Sequence, residues 1–263
     1  MITCPFALHV PADLGDALEL IGRYGNAARP LSGGTVLLPE MSRGTIVPDA
    51  VVDLAHCGLN TVRREHGHLS VGATVTYRQL EREDGLLGKF ARSITGGPQI
   101  RNRATIGGSA AWANPSSDVP AVLVALKSLM VMASTSGERR VPAEEFFIRA
   151  FHTAVAPGEL LISIEVPDDH GMRYGYNKLK FGESSWPIVT AAAVVHDDGN
   201  ARVAIGGATP TPFAVEVNDR DELPAAVAAA LIDPWSDILA DGDYRRQVAA
   251  VIARRAADEA YLS

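Results

Sequence analysis

The sequence predicts an α+β protein built in two parts, and three observations predict it. Helix-period and strand-period segments mix from the first residues, two glycine turns each follow an extended run, and a linker-like Pro167-Asp168-Asp169-His170-Gly171 stretch precedes a meander of strands closed by helices. With 263 residues, 47% of them hydrophobic, the chain is long and apolar enough to give each part a core. The expected division is a first domain over 1–167, with subdomains of about 1–57 and 58–167, and a second over 172–263.

The elements follow in order. Asp13 should cap a first helix over about 13–23, with Leu14, Leu18 and Ile21 on one face and Asp16 three residues after the cap, until Gly25 and Asn26 stop it. A short strand leads through Pro30 and Leu31 into Ser32-Gly33-Gly34-Thr35, and the apolar Val36, Leu37 and Leu38 begin a helix. Val51-Val52-Asp53-Leu54 reads as a strand, and Asn60 to Glu65 with His68 to Ala73 as a hairpin about Gly67. Its His66 and His68 read as solvated turn residues, because no third metal ligand is near. Tyr77 to Glu81 and Leu86 to Ile94 are expected helices, after which Gly96-Gly97-Pro98 opens an extended segment from Gln99 to Thr105.

Gly107-Gly108 makes the second glycine turn, followed by a helix from Val119 to Leu126, a strand from Leu129 to Ala133 and a polar turn from Ser134 to Arg139. Pro142 starts a short helix holding Phe146 and Phe147, and Leu160 to Val166 is a strand that ends at the linker. Beyond it, Tyr174 to Phe181, Ile188 to His196 and Ala201 to Ile205 read as strands, with helices over about 222–231 and 244–260.

Composition excludes several functions. A net charge of −7 and a pI near 5.5 oppose general affinity for nucleic acid or anionic membrane, which need a cationic surface. The longest apolar stretch, Ala121 to Ala133, is broken by Lys127 and is shorter than the roughly 18 residues of a spanning helix, so no membrane span is expected. The N-terminus lacks the pattern of a secretion signal, and a cytoplasmic location is expected. Cys4 and Cys57 alone cannot supply the four thiolates of a typical iron–sulfur cluster, which would have to sit in another chain. No nucleophile, triad or metal constellation stands out, so no catalytic residue is assigned.

The glycine turns carry the chemistry. A turn that brings backbone N–H groups close to a diphosphate needs glycine, because a side chain blocks the approach and the geometry often requires a positive φ. Ser32-Gly33-Gly34-Thr35 and Thr105-Ile106-Gly107-Gly108-Ser109 both qualify and add hydroxyls, while neither matches the Rossmann or P-loop fingerprint. Either turn taken alone is also compatible with a purely structural role.

Gln99-Ile100-Arg101-Asn102-Arg103-Ala104-Thr105-Ile106-Gly107-Gly108-Ser109, continued by Asn114-Pro115-Ser116-Ser117-Asp118-Val119-Pro120, closely resembles the signature of the flavin subunits of molybdenum hydroxylases, the family of aerobic carbon monoxide dehydrogenase and the xanthine dehydrogenases. Ser32 to Pro39 resembles its first FAD loop, and Val51 to Leu54 with Val71 to Thr76 its next strands. Tyr176 to Lys180 and Val203 to Pro212 resemble its C-terminal flavoprotein domain.

The resemblance implies a p-cresol methylhydroxylase-type FAD fold of two α+β subdomains plus that C-terminal domain. It implies that Ser32, Gly33, Gly34, Thr35 and Val36, together with Thr105, Ile106, Gly107, Gly108 and Ser109, hold the cofactor, chiefly its diphosphate. By the same resemblance Asp118 corresponds to a cofactor-contacting aspartate and Lys178 to a lysine near the flavin ring, Thr95 and Leu161 align with residues that border the ring, and Tyr176 is a candidate for stacking beside it. Taken as residues alone, Asp118 would equally cap a helix and Leu161 would equally be core. Ser109 stands where the family usually has asparagine, and Phe181 to Trp186 replaces an arginine-rich turn. With no histidine or cysteine in the glycine turns, covalent flavin attachment is not expected.

The function implied is that of an FAD-binding subunit of a molybdenum hydroxylase complex. An iron–sulfur small subunit would deliver electrons from a molybdenum-cofactor large subunit, and the flavin would pass them to NAD, a quinone or oxygen. A free-standing FAD-dependent oxidoreductase with its own small substrate is an alternative, since shared fold does not settle function. A non-catalytic nucleotide-binding or assembly protein is another.

Overall fold

The Asp13 carboxylate accepts the Asp16 N–H at 3.0 Å, which sets where the first helix starts. The computed structural model describes residues 2–65, 67–168 and 171–263; His66 of the expected hairpin and Asp169 and His170 of the expected linker lie outside the described residues. The first unit comprises β1 (Ala7–His9), α1 (Leu14–Tyr24), β2 (Ala28–Leu31), α2 (Leu37–Arg43) and β3 (Ala50–Asp53). Its strands are parallel, in the order β1-β3-β2, so helices must serve as the crossovers.

The second unit runs through β4 (Val62–Glu65), β5 (His68–Gly72), α3 (Tyr77–Leu80), α4 (Gly85–Ser93), α5 (Gly97–Arg101), α6 (Ile106–Trp112) and α7 (Asp118–Ala125). It continues through β6 (Leu129–Ser134), β7 (Gly137–Pro142), α8 (Ala143–Phe146), the short pair β8 (Phe147–Arg149) and β9 (His152–Thr153), and β10 (Leu160–Pro167). The main sheet is antiparallel, in the order β4-β5-β10-β6-β7.

Alternation on β6 sends Met130 and Met132 into the main core and Val131 and Ala133 against the first unit. On β10, Leu160 and Ile162 also face the first unit. A bulge between Leu161 and Ser163 then shifts the register, so that Leu161, Ile164 and Val166 share the opposite face.

Three local expectations need correction. The run expected to be extended from Gln99 to Thr105 is helical up to Arg101 and extended at Thr105, because Gly96 at φ 92° re-aims the chain and puts Pro98 in the first turn of α5, where its missing N–H costs nothing. The polar turn expected from Ser134 to Arg139 is shorter: Arg139 belongs to β7, where it pairs with Glu159. His68 is a strand residue, its ring 4.0 Å from Glu165, and not part of a solvated turn.

The third unit is the antiparallel meander β11 (Arg173–Lys180), β12 (Pro187–Val195), β13 (Ala201–Gly206) and β14 (Phe213–Val217), with α9 (Leu223–Ala230) and α10 (Gly242–Leu262). β14 was not anticipated, since Pro210 and Pro212 just before it punctuate the strand pattern. β12 is buried along its whole length because both faces are covered: Ala192 and Val194 join the core that includes α7, and Val189, Ala191, Ala193 and Val195 join the core under α10. Ala249, Ala253, Ala256, Ala257 and Ala260 let α10 lie close to the sheet. The approach is tightest at Gly175, where a Cβ would fall 1.7 Å from the Ala256 carbonyl oxygen. Among the described residues, no helix is long and apolar enough to cross a membrane.

Arg245 of α10 is fully buried and ties the meander to the segment before the helix. Its guanidinium donates to Gly207 O at 2.7 Å, to Ala240 O at 3.3 Å, to Ile188 O, and to Asp237 at 2.5 Å. Arg245→Met should therefore leave three carbonyls short of a partner and remove one of several donors to the part-exposed Asp237 carboxylate, at a cost of about 3 kcal/mol. Urea unfolding measures this; a loss below about 1 kcal/mol would mean that water replaces the guanidinium at little cost.

Candidate functional site

β2 carries the chain to Leu31, where it turns through Ser32-Gly33-Gly34-Thr35-Val36 before α2. The second turn, starting at Thr105, lies directly against the first: the Ser32 and Thr105 hydroxyls are 3.0 Å apart. Together the turns line a cleft of about 610 Å³, within the range of sites that enclose a sizeable small molecule.

The glycines are needed first for protein packing. A Cβ on Gly33 would fall 2.0 Å from Arg103 O, and one on Gly107 would fall 2.5 Å from the Ala73 Cβ. These two residues let the turns seat on neighbouring backbone while both also line the cleft. Gly34 is the residue whose conformation demands glycine, with φ at 72°.

Backbone N–H groups divide unequally between the turns. In the second, Ile106 N–H donates to Val75 O at 3.0 Å, Gly107 N–H to Ala73 O at 3.0 Å, Gly108 N–H to Thr105 Oγ1 at 3.1 Å and Ser109 N–H to Thr105 O at 3.1 Å. In the first, the N–H groups of Gly33, Gly34, Thr35 and Val36 have no acceptor among the described residues. The first turn therefore offers backbone donors to a ligand, and the second offers hydroxyls and shape.

Ten of the expected residues line the cleft: Ser32, Gly33, Gly34, Thr35, Val36, Thr105, Gly107, Gly108, Ser109 and Leu161. Ile106 is buried beneath the second turn. Thr95, Asp118, Tyr176 and Lys178 are absent from the cleft wall, and the last three form a cluster of their own. Ser117, not Asp118, caps α7, accepting the Val119 N–H at 3.4 Å.

Asp118 instead accepts from Lys178 Nζ at 2.6 Å and from the Tyr176 hydroxyl, and Lys178 also donates to Ser93 O at 2.7 Å. The pair is well buried, with the side chains of Lys178 and Asp118 10% and 4% exposed. Burial pushes the Tyr176 phenol well above its ordinary range, and the charge of Asp118 adds to the shift, so the hydroxyl stays protonated and donates. The Tyr176 ring packs edge-on to Phe90 at 6.4 Å within the core. The Thr95 hydroxyl oxygen is buried without a partner among the described residues, an open hydrogen-bonding position.

A chain of contacts joins the cluster to the cleft. Ser109 Oγ lies 2.5 Å from the Tyr77 hydroxyl, and Tyr77 packs edge-on to Phe90 at 6.0 Å, which in turn meets Tyr176. Burial raises the Tyr77 phenol, against the pull of the Ser109 hydrogen bond and with the help of the Asp118 charge.

The cleft has further walls that the sequence reading missed. Trp112 was within reach of pattern, since it follows Gly108 by four positions and so shares its helical face. Phe151, which also lines the cleft, has no local signal.

Residues 4–169 match the family described as the FAD binding domain in molybdopterin dehydrogenase. The chain is 33% identical to the carbon monoxide dehydrogenase medium chain of Afipia carboxidovorans, over 99% of its own length and 98% of the relative's. It is 32% identical to the glyceraldehyde dehydrogenase medium chain of Sulfolobus acidocaldarius, over 94% and 95% of the two chains. Its fold is similar to a chain of the reconstituted CO dehydrogenase from Oligotropha carboxidovorans, with a TM-score of 0.92 and 33% identity over 100% of this chain and 99% of that one.

Two outcomes follow from the geometry. Gly107→Val should destabilise the apoprotein itself, because its Cβ meets Ala73; a wild-type melting temperature would refute the packing role. Lys178→Met should cost about 3–5 kcal/mol by stranding Asp118, and the double variant with Asp118→Asn should recover part of it in a double-mutant cycle. Additive losses would show that the two residues do not interact.

Proposed function

The chain belongs to the FAD-binding medium subunits of the molybdenum hydroxylase family, and from that premise we propose how its residues divide the work. It is the flavoprotein component of an oxidoreductase, and FAD is its cofactor. The observation that carries the detailed reading is the unequal pair of turns: four N–H donors at Gly33 to Val36 with no acceptor among the described residues, beside a Ser32 hydroxyl that meets that of Thr105.

This donor set suits a group rich in acceptor oxygens, and the residues present fit the diphosphate of FAD. Gly33, Gly34, Thr35 and Val36 would donate backbone N–H bonds to it, and Ser32, Thr105 and Ser109 would add hydroxyls. Gly107 and Ile106 would act indirectly, by seating the second turn on Ala73 and Val75. Leu161 would supply an apolar wall. Bound FAD supplies a carrier able to exchange electrons one or two at a time.

The remaining residues would tune that carrier. Lys178 would present its charge toward the flavin ring while Asp118 holds it in place, so the field at the ring is that of an ion pair, weaker than that of a bare ammonium. Thr95 has an unpartnered hydroxyl to offer, and Tyr176 would orient Asp118 from the core side. The FAD-binding part would span 1–167, in subdomains of about 1–57 and 58–167, with 172–263 as the C-terminal flavoprotein domain.

In this reading, electrons arrive from an iron–sulfur small subunit that takes them from a molybdenum-cofactor large subunit. They leave to NAD, a quinone or oxygen, and substrate oxidation takes place in the large subunit. A cytoplasmic location accompanies this role.

Reconstitution tests the reading directly. The purified chain should take up one FAD, all of it released to the supernatant by acid precipitation, and expression with its neighbouring chains should yield a heteromeric complex. A chain that takes up no flavin overturns the cofactor assignment. One that binds FAD and oxidises an organic substrate by itself overturns the subunit role.

A further inference from the structure

Only three non-glycine residues have positive φ among those described, and two of them are bonded to each other beside the cleft, which Phe151 lines. Ala113 has φ 49° and Phe151 has φ 59°, and the Phe151 N–H donates to Ala113 O at 2.8 Å. A left-handed conformation is uncommon for any residue with a side chain and unusual for a bulky one, and it persists only where surrounding structure holds it. At Ala113, which is buried, it closes α6; at Phe151 burial does not account for it, since the side chain is 50% exposed.

What the two strained residues do is bring two aromatic rings together. The residue before Ala113 is Trp112, and its ring meets that of Phe151 edge-on, with centroids 5.8 Å apart. Both residues line the cleft. Trp112 shares a face of α6 with Gly108, four residues earlier, and so lies about 6 Å along the helix from the second glycine turn. That displacement matches the span of one sugar unit between a diphosphate and the planar ring it carries.

We propose that Trp112 and Phe151 form an aromatic edge of the cleft that stacks against a planar ring system of the bound dinucleotide, with the strained Ala113–Phe151 backbone contact holding the edge in place. This rests on the reading that the glycine turns hold FAD. An aromatic pair of half-exposed Phe151 and part-buried Trp112, lining the same cleft as the glycine turns, offers apolar area and a quadrupole to a flat heteroaromatic ligand. FAD carries two such rings, adenine and isoalloxazine, and its halves distinguish them: ADP presents only the first and FMN only the second.

The test uses the full-length apoprotein, with quenching of tryptophan fluorescence and calorimetry as readouts for FAD, ADP and FMN. Phe151→Gly removes the ring while suiting the positive φ, so its melting temperature should not fall. Its affinity for FAD should fall roughly three- to tenfold, as should that of Trp112→Leu, while Phe151→Tyr should retain it. A matching loss for ADP but not FMN assigns the edge to adenine, and the reverse assigns it to isoalloxazine; both support the proposal. Unchanged FAD affinity in folded Phe151→Gly and Trp112→Leu overturns it while leaving the cofactor reading intact. A wild-type chain that binds no FAD overturns both.

Discussion

The site depends on one close approach, in which the second glycine turn is wedged between the end of β5 and the first turn. On one side, Gly107 N–H and Ile106 N–H donate to Ala73 O and Val75 O, and the Gly107 Cα sits against Ala73 with no space for a Cβ. On the other, Gly33 sits against the Arg103 carbonyl, and the Ser32 and Thr105 hydroxyls meet. These contacts join the parallel first unit to the antiparallel second one at the point where the cleft opens. Backbone packed on backbone has almost no freedom to yield, so the turns are held in register before any ligand arrives.

That wedge also explains the division of donors. The N–H groups of Ile106, Gly107, Gly108 and Ser109 are consumed in fixing the position of the second turn, so they cannot also serve a ligand. The first turn is held by van der Waals contact with the second and keeps its N–H groups available.

A buried ion pair plays a comparable part between the second and third units. Asp118 at the start of α7 receives Lys178 and Tyr176 from β11, so a single carboxylate bridges the helix and the meander. Desolvating these charges is expensive, and the three-way hydrogen bonding is what offsets it. Phe90 and Tyr77 pack in line between this cluster and Ser109 of the cleft wall, so residues far apart in the chain are joined by contiguous contacts.

Much of this was legible in the sequence, where the cause is local. The Asp13 cap, the hairpin about Gly67, both glycine turns and the first three strands of the meander follow from side-chain type and spacing over a few residues. The family resemblance, carried by contiguous motifs, pointed to FAD. Tertiary structure decided the rest. Whether a glycine serves a ligand or a neighbouring backbone depends on Ala73 and Arg103, which approach from elsewhere in the chain. Whether Asp118 caps a helix or binds a lysine depends on where β11 passes, and the bent entry to α5 and the left-handed Phe151 depend on the surroundings that hold them. Sequence encodes what each residue is able to do within reach of its own turn or strand; which N–H stays free, which ring faces the cleft and which charge is paired are set by contacts between residues tens of positions apart, and those exist only once the chain has folded.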